Sequence, residues 1–318
     1  MIFIISNSQD ATTDYLCEKI AASSLDYVRL NSDQILDNAY IEYDGTRPIL
    51  KLYGRSILPE EISTLVFRRP KPLNLQIGKD LAEQNHVNQE WSEAIEGFLA
   101  HINTDKWMNH PAKNVSASHK IEQLSRANEF CLKVPKSLVT QNAEILKSFW
   151  TSFNGNIIAK PLALGFLERI PFEDSTQIYT NVVSADMLSK GIKVIGNCPT
   201  LFQEAILEKT DVRVTVVDET IYSVALKHPN REIPIDIRRD NMVLIQYEPI
   251  ELPSSIRRSL LAILKSYGLR FAAIDMVVDN KNNWHFLEIN PNGQWAWMDL
   301  VGATKIYQGF ISAFQKGM

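Results

Sequence analysis

Cysteine is scarce in this chain, and the little there is stands apart. Cys17, Cys131 and Cys198 form no CxxC pair, and an odd, scattered set of three does not build a disulfide framework. It fits a reducing compartment, so the cytoplasm is the expected setting. No apolar run approaches the length of a membrane span. The opening Met1-Ile2-Phe3-Ile4-Ile5 is too short for a signal peptide and lacks a basic flank. Positive charge is not in excess either. The formal net charge is -4, so no bulk electrostatic attraction draws the chain to nucleic acid. Internal repeats and low-complexity segments are absent. What remains is ordinary globular composition, and 318 residues suffice for two or three domains with real cores.

The order of patterns predicts an α/β protein. Residues 1–6 read as a buried strand, Ala11–Ser23 as a helix and Tyr27–Leu30 as a second strand. That β-α-β opening favours a parallel sheet covered by helices. A hairpin follows around Asp44-Gly45-Thr46-Arg47, then the strand Leu65-Val66-Phe67, which ends in Arg68-Arg69-Pro70-Lys71-Pro72. Basic residues at the C-terminal end of a parallel strand are either a solvated loop or an anion-binding edge. A long amphipathic helix over 79–103 runs to a break at Asn109-His110-Pro111. Next come a helix over Ser118–Leu132 with Ser118 as its N-cap, a strand at Ser137–Thr140, a helix at Glu144–Phe153 and a strand at Ile157–Lys160. The strand Ile178–Val183 and a short helix at Ala185–Gly191 complete the middle of the chain. From about 200 the texture turns antiparallel: Leu201–Ile206, Val212–Val217, Ile221–Leu226, Met242–Tyr247, Ala272–Val278 and Trp284–Ile289. One helix, Ser254–Tyr267, interrupts them and ends at Gly268. A last helix spans Gly302–Gln315. Three pieces result: 1–115, 116–200 and 201–318.

Several residues carry chemistry. Glu288 and Asn290 sit two apart on a strand, so both side chains point to one face. Asp275 lies inside an apolar strand, where a carboxylate is costly unless paired. Three oxygen donors from neighbouring strands suit a hard cation such as magnesium. For Asp275 to share a face with Glu288, the strands must pair with residue numbers summing to an odd value; a one-residue slip separates them unless a bulge restores the register. Lys160 ends a buried strand before Pro161 and is placed to reach an anion. Lys120, in the first turn of a helix, means little alone. Gln203-Glu204-Ala205-Ile206 is either a plain crossover or a backbone edge for a purine. Asp211 and Arg213 lie two apart on one strand face, as an ion pair or as contacts for a ribose and a phosphate. Arg238 and Arg239, followed by Asp240-Asn241, place guanidinium groups at a strand edge, where they match phosphate geometry.

Taken in order, these residues resemble the ATP-grasp ligases, over essentially the whole chain. The resemblance implies an N-terminal pre-ATP-grasp domain and two α+β subdomains that grip ATP between them. It implies ATP contacts from Lys120, Lys160, the Gln203–Ile206 hinge, Asp211 and Asn241. Phosphate-binding arginines would be Arg213 with Arg238 or Arg239, and magnesium ligands Asp275, Glu288 and Asn290. A closer resemblance is to the microviridin-type, or graspetide, macrocyclases. It rests on Glu288-Ile289-Asn290-Pro291-Asn292-Gly293-Gln294-Trp295, on Phe67-Arg68-Arg69-Pro70, and on Trp107-x-Asn109-x-Pro111 with Lys120 and Gln123-Leu124. That subfamily's chemistry activates Asp or Glu side chains of a ribosomal precursor peptide as acyl phosphates. It then joins them to Ser, Thr or Lys. The resemblance therefore implies a leader-plus-core peptide partner, with Arg68 and Arg69 as candidates to hold its acidic side chains, no nucleic acid, no membrane, and a homodimer as an expectation. One departure is the stretch after Lys160-Pro161. Leu162-Ala163-Leu164-Gly165-Phe166 has a single glycine where the family often has a glycine-rich loop. The alternatives are a ligase that adds a free amino acid to a carboxylate, and an inactive nucleotide-binding module.

Overall fold

A computed structural model describes residues 1–163, 165–167, 169, 175–192, 194–228 and 234–317. Leu164, in the stretch after Pro161, lies outside the described residues. The N-terminal unit opens as expected, with β1 (Ile2–Ser6), α1 (Ala11–Ala22) and β2 (Tyr27–Asn31). A short helix α2 (Ile35–Asn38) leads into an antiparallel sheet of β3 (Ala39–Tyr43), β4 (Pro48–Leu52) and β5 (Arg55–Ile57). Then come β6 (Thr64–Phe67), α3 (Leu81–Leu99) and β7 (Trp107–Met108). The main sheet is parallel, in the order β2-β1-β6-β7. Alternation sends Phe3 and Ile5 to one face, packed with Phe98 and Trp107, and Ile2 and Ile4 to the other.

That second face does not close on its own unit. It packs with Val217, Phe271, Trp295, Phe310 and Phe314 from the far end of the chain. The N-terminal sheet and the last helices thus share one core.

The central unit holds α4 (Pro111–Ser116), α5 (Lys120–Glu129), β8 (Ser137–Thr140), α6 (Ala143–Ser152), β9 (Ile157–Lys160), the small pair β10 (Phe166–Leu167) and β11 (Thr176–Gln177), β12 (Asn181–Val182), α7 (Ala185–Gly191) and β13 (Thr200–Glu204). Two sequence expectations change here. The stretch 112–118 contains the helix α4, and α5 starts at Lys120 with His119 before it. Ser118 caps nothing; its hydroxyl donates to the Asn114 carbonyl at 2.6 Å. In place of one strand over 178–183 there is only the short Asn181–Val182, which joins the central sheet; β11 ends before that range, at Gln177, and pairs with β10. The strand expected at Leu201–Ile206 sits between β9 and β8, in the order β12-β9-β13-β8. By sheet membership it goes with the central unit, not with the antiparallel strands that follow it.

The C-terminal sheet runs β16-β15-β14-β17-β18, antiparallel throughout. Its members are β14 (Lys209–Val217), β15 (Thr220–Lys227), β16 (Gln246–Pro249), β17 (Phe271–Asp279) and β18 (Trp284–Asn290), with α8 (Ser254–Tyr267) between β16 and β17. Residues 242–244, expected in a strand, form turns instead. Val212, Val214, Val216, Ala272, Ile274 and Met276 form the face that packs on α8 and on Leu124 and Ala127 of α5. Gly268 ends α8 at φ +68, a left-handed conformation that costs glycine little. An unexpected short helix, α9 (Ala296–Leu300), precedes the closing helix, which starts later than Gly302 as α10 (Ile306–Lys316); Gly302 lies between them at φ +79. No helix of the described residues is long and apolar enough to cross a membrane.

Candidate functional site

The opposite face of the C-terminal sheet is polar, and strand alternation dictates which residues line it. Lys209, Asp211 and Arg213 alternate along β14. Asp275, Val277 and Asp279 do so along β17. The register puts Arg213 across from Asp275, and Asp275 across from Glu288. Three charged residues therefore form one row over three strands. The numbers 275 and 288 give the odd sum the sequence demanded. The hairpin does not begin in that register. Near its turn Val278 faces Trp284 and Met276 faces Phe286, an even sum; the register then shifts between Asp275 and Met276, and Leu287 is the extra residue. A bulge carries Glu288 onto the face of Asp275.

The row is tightly linked. Arg213 Nη1 lies 2.7 Å from Asp275 Oδ1, and its Nη2 donates to the Gln294 carbonyl at 2.9 Å. Asn290 Nδ2 donates to Glu288 Oε1 at 3.1 Å. From the central unit Lys120 Nζ reaches Glu288 Oε2 at 3.4 Å and the Pro161 carbonyl at 2.9 Å. Burial would raise the Glu288 pKa, but Lys120 and Lys160 outweigh it and hold the carboxyl below its usual value. Asp275 goes the other way: burial and the neighbouring Glu288 raise it, against the pull of Arg213. The Lys160 ammonium is pushed down to about 8, first by burial and then by Lys120 and Lys209. Glu288 and Asp275 pull against that shift without cancelling it.

The donor set fits magnesium. Two carboxylates and a carboxamide converge on one spot. Magnesium characteristically takes one or two protein carboxylates and completes its shell with water and phosphate oxygens. No cluster of three or more His, Cys, Asp or Glu able to hold a metal occurs among the described residues, which excludes an all-protein cage but not this arrangement.

The other expected residues are placed unevenly. Asp211 pairs with Lys209, which the sequence reading passed over, although it stands two residues before Asp211 on the same strand face. Burial raises the Asp211 carboxyl, opposed by Lys209. Gln203 turns into the sheet, 1% exposed, and donates to Ser137 Oγ at 2.8 Å. The Glu204 and Ala205 N–H groups are taken by the Lys136 and Asn156 carbonyls, both at 2.9 Å. Ile206 thus holds the segment's N–H without a partner among the described residues. Arg238 grips Asp236 with two bonds, at 2.9 and 2.6 Å, while Arg239 donates to Asn181 Oδ1 at 2.5 Å. Both cations lie over the Tyr179 ring. The Asp236 bond raises the Arg238 pKa, and the charges of Glu288 and Asp275 add to that. Asn241 is not brought to the carboxylates; it is exposed, and its Oδ1 accepts the Val243 N–H at 3.1 Å.

Arg68 requires a correction. It is 4% exposed, its Nε lies 3.1 Å from Asp10 Oδ2, and its Nη atoms donate to the Gly293 carbonyl at 3.1 Å and to Gln294 Oε1 at 2.6 Å. Burial lowers its pKa to about 10. It braces the turn after the metal ligands and offers nothing to an outside carboxylate. Arg69 beside it is exposed, at φ +47, with its carbonyl held by Asn7 Nδ2 at 2.7 Å.

The tail after Asn290 is likewise internal. Trp295 is fully buried and stacks on Phe310 at 4.9 Å, and Trp297 packs on Tyr247 at 5.3 Å. Gly293 is there because nothing larger fits: a Cβ would lie 2.4 Å from the Ala273 Cβ and 3.0 Å from Arg213 Nη2. Asn109, 2% exposed, holds the other side of the turn, donating to the Phe271 and Pro291 carbonyls and accepting the Arg270 and Phe271 N–H groups. Two surface cavities, about 360 Å³ beside Tyr27 and Arg55 and about 630 Å³ between Leu73 and α3, lie in the N-terminal unit and involve none of these residues.

An N-terminal parallel unit followed by two α+β units with a charged crevice between them is the ATP-grasp fold, and this chain has it. Its likeness extends over the full length to peptide-modifying members of that class. It matches a RiPP-associated ATP-grasp ligase of Chryseobacterium gregarium, solved with ADP and a leader and core peptide, at 26% identity and a TM-score of 0.87, covering 100% of this chain and 97% of that one. The macrocyclase MdnC of Microcystis aeruginosa, solved with its precursor peptide MdnA, is 25% identical with a TM-score of 0.84, covering 100% of both chains. The ligase PsnB, solved with a minimal precursor, magnesium and ADP, shares the fold at 19% identity and a TM-score of 0.78, covering 99% of this chain and 96% of that one. No protein-family model matches the chain, and neither does any curated protein.

Proposed function

We propose that this protein is an ADP-forming ligase that closes rings in a ribosomally made precursor peptide, joining Asp or Glu side chains to Ser or Thr hydroxyls or to Lys amines. The row Arg213–Asp275–Glu288, faced by Lys120 and Lys160, carries the reading. It supplies two carboxylates for a cation and at least three positive groups for a triphosphate, and it contains no Ser, Thr or Cys. That suits a reaction whose substrate brings both partners. The intact row also speaks against an inactive module.

In the first step a peptide carboxylate oxygen attacks the γ-phosphorus of ATP, the bond to the β-γ bridging oxygen breaks, and ADP leaves. Lys120, Lys160 and Arg213, with Arg238 or Arg239, offset charge on the phosphates as it shifts. Magnesium, held by Asp275, Glu288 and Asn290, would supply charge neutralisation and orientation of the phosphate oxygens. In the second step the hydroxyl or amine attacks the acyl carbon, and phosphate departs with the former carboxylate oxygen. The nucleophile's proton is released to solvent or to the departing phosphate. Ile206 N–H is the donor available to the edge of the base.

The experiment follows that oxygen. With peptide carboxylates labelled with ¹⁸O, one labelled atom should appear in inorganic phosphate for each ADP formed. Unlabelled phosphate would overturn acyl-phosphate activation.

A further inference from the structure

β18 is an edge strand. Its inner side pairs with β17, and no further strand of the C-terminal sheet covers its outer side. It also carries the register shift one residue before Glu288. An edge strand beside a bulge is where a backbone twists most easily, and a twist there would turn Glu288 and Asn290 away from Asp275.

The side chain of Gln123 occupies the place a neighbouring strand would take. Its Oε1 accepts the Ile289 N–H at 2.8 Å and its Nε2 donates to the Ile289 carbonyl at 2.8 Å. The same Nε2 donates to the Ala117 carbonyl at 2.6 Å. The side chain is 1% exposed, so water does not compete for these bonds. Ile289 lies between the two ligand residues, and strand alternation turns their side chains away from its own. One carboxamide thus fixes both backbone groups of the residue from which Glu288 and Asn290 diverge. Lys120, three residues earlier on the same helix, touches the Glu288 carboxylate itself.

We propose that Gln123 is a positioning residue for the cation ligands Glu288 and Asn290: it acts on the metal through the Ile289 backbone without touching the metal. The proposal rests on the ligase reading above. The carboxamide matters here, since only a group that both donates and accepts can hold the N–H and the C=O of one residue.

The test measures Mn²⁺ binding by electron paramagnetic resonance, with a non-hydrolysable ATP analogue present, alongside thermal melting and ADP formation. Gln123→Met should lower Mn²⁺ affinity by about 10- to 100-fold, the range for groups that orient metal ligands. Gln123→Glu keeps the side-chain length and the Ile289 acceptor but loses the amide donors; it should show a smaller loss, and it keeps the question answerable if Gln123→Met does not fold. Arg126→Ala is the stability control. Arg126 bonds Glu122 and Ser266 and packs on Tyr267, so its loss loosens α5 without touching Ile289. At a similar melting loss it should leave Mn²⁺ affinity unchanged. Equal affinity loss in Arg126→Ala, or wild-type affinity in both Gln123 variants, overturns the proposal. If Glu288→Gln also binds Mn²⁺ normally, the ligand assignment has failed, and Gln123 with it.

Discussion

Asp275 stands across from Glu288 because Leu287 is an extra residue in its strand. One residue fewer in the shift would put Leu287 opposite Asp275 and send Glu288 to the apolar face packed on α8. Two half-buried carboxylates side by side repel each other, and here the cost is offset by Arg213 on one side and Lys120 on the other. Glu288→Gln and Asp275→Asn should each lower ADP formation by roughly 100-fold or more, and each should remove the melting-temperature gain given by magnesium and ATP together. Normal turnover in either variant would contradict the cation role.

Arg68 and Asp10 form a buried pair with 5% and 2% side-chain exposure. Arg68→Met leaves Asp10 charged and unpaired in the interior and should cost about 3–5 kcal/mol in denaturant unfolding. Adding Asp10→Asn should recover much of that loss. Asp10 also caps α1 through the Thr12 and Thr13 N–H groups, and asparagine caps as well as aspartate. A double variant as unstable as the single one would mean that the charge is not what matters.

Gly293→Ala tests the close approach behind the arginine. The added methyl must displace Ala273 or the Arg213 guanidinium. Overpacking of this kind costs about 1–3 kcal/mol. Because Arg213 Nη2 is among the atoms displaced, ADP formation should fall further than melting alone accounts for. Gly302→Ala, at a left-handed position with open space around it, should reduce stability and spare activity.

The hairpin that presents Glu288 is tied at its turn by Asp279, which accepts from His285 Nε2 at 3.0 Å and from the Asn283 and Lys281 N–H groups. The His285 bond, followed by those N–H groups, holds the Asp279 carboxyl below its ordinary value. A carboxyl depressed in the folded state stabilises above its unfolded pKa and loses that contribution as pH falls. The melting difference between wild type and Asp279→Asn should therefore be full at neutral pH and shrink below about pH 4. A difference that grows in acid would contradict it.

Much of this was legible in the sequence because it follows from alternation. Asp275, Glu288 and Asn290 could be assigned to one face from spacing alone, subject to a register that the sequence could state but not choose. The bulge that chooses it has no sequence mark: Leu287 looks like any apolar strand residue. Arg68 misled for a related reason. At the end of a parallel strand an arginine reads as an anion site, and only the fold shows the Gly293 carbonyl and Gln294 taking its hydrogen bonds and Asp10 pairing with its charge. Trp295 entered only as part of the tail that carries the resemblance, and the shared core between the first and last segments takes it in. Gln123, Asn109 and Gln294 stand in the stretches that carry the resemblance, but their clamping role was not legible, because a carboxamide clamp is defined by a partner that lies far away in sequence.

The central claim is tested most directly by mass spectrometry of an acidic, Thr- or Ser-containing precursor peptide incubated with the protein, ATP and magnesium. The account predicts that the peptide loses one water for each ADP formed, with no other reactant added. A peptide that gains the mass of an added amino acid, or ADP release with no change in the peptide, would contradict it.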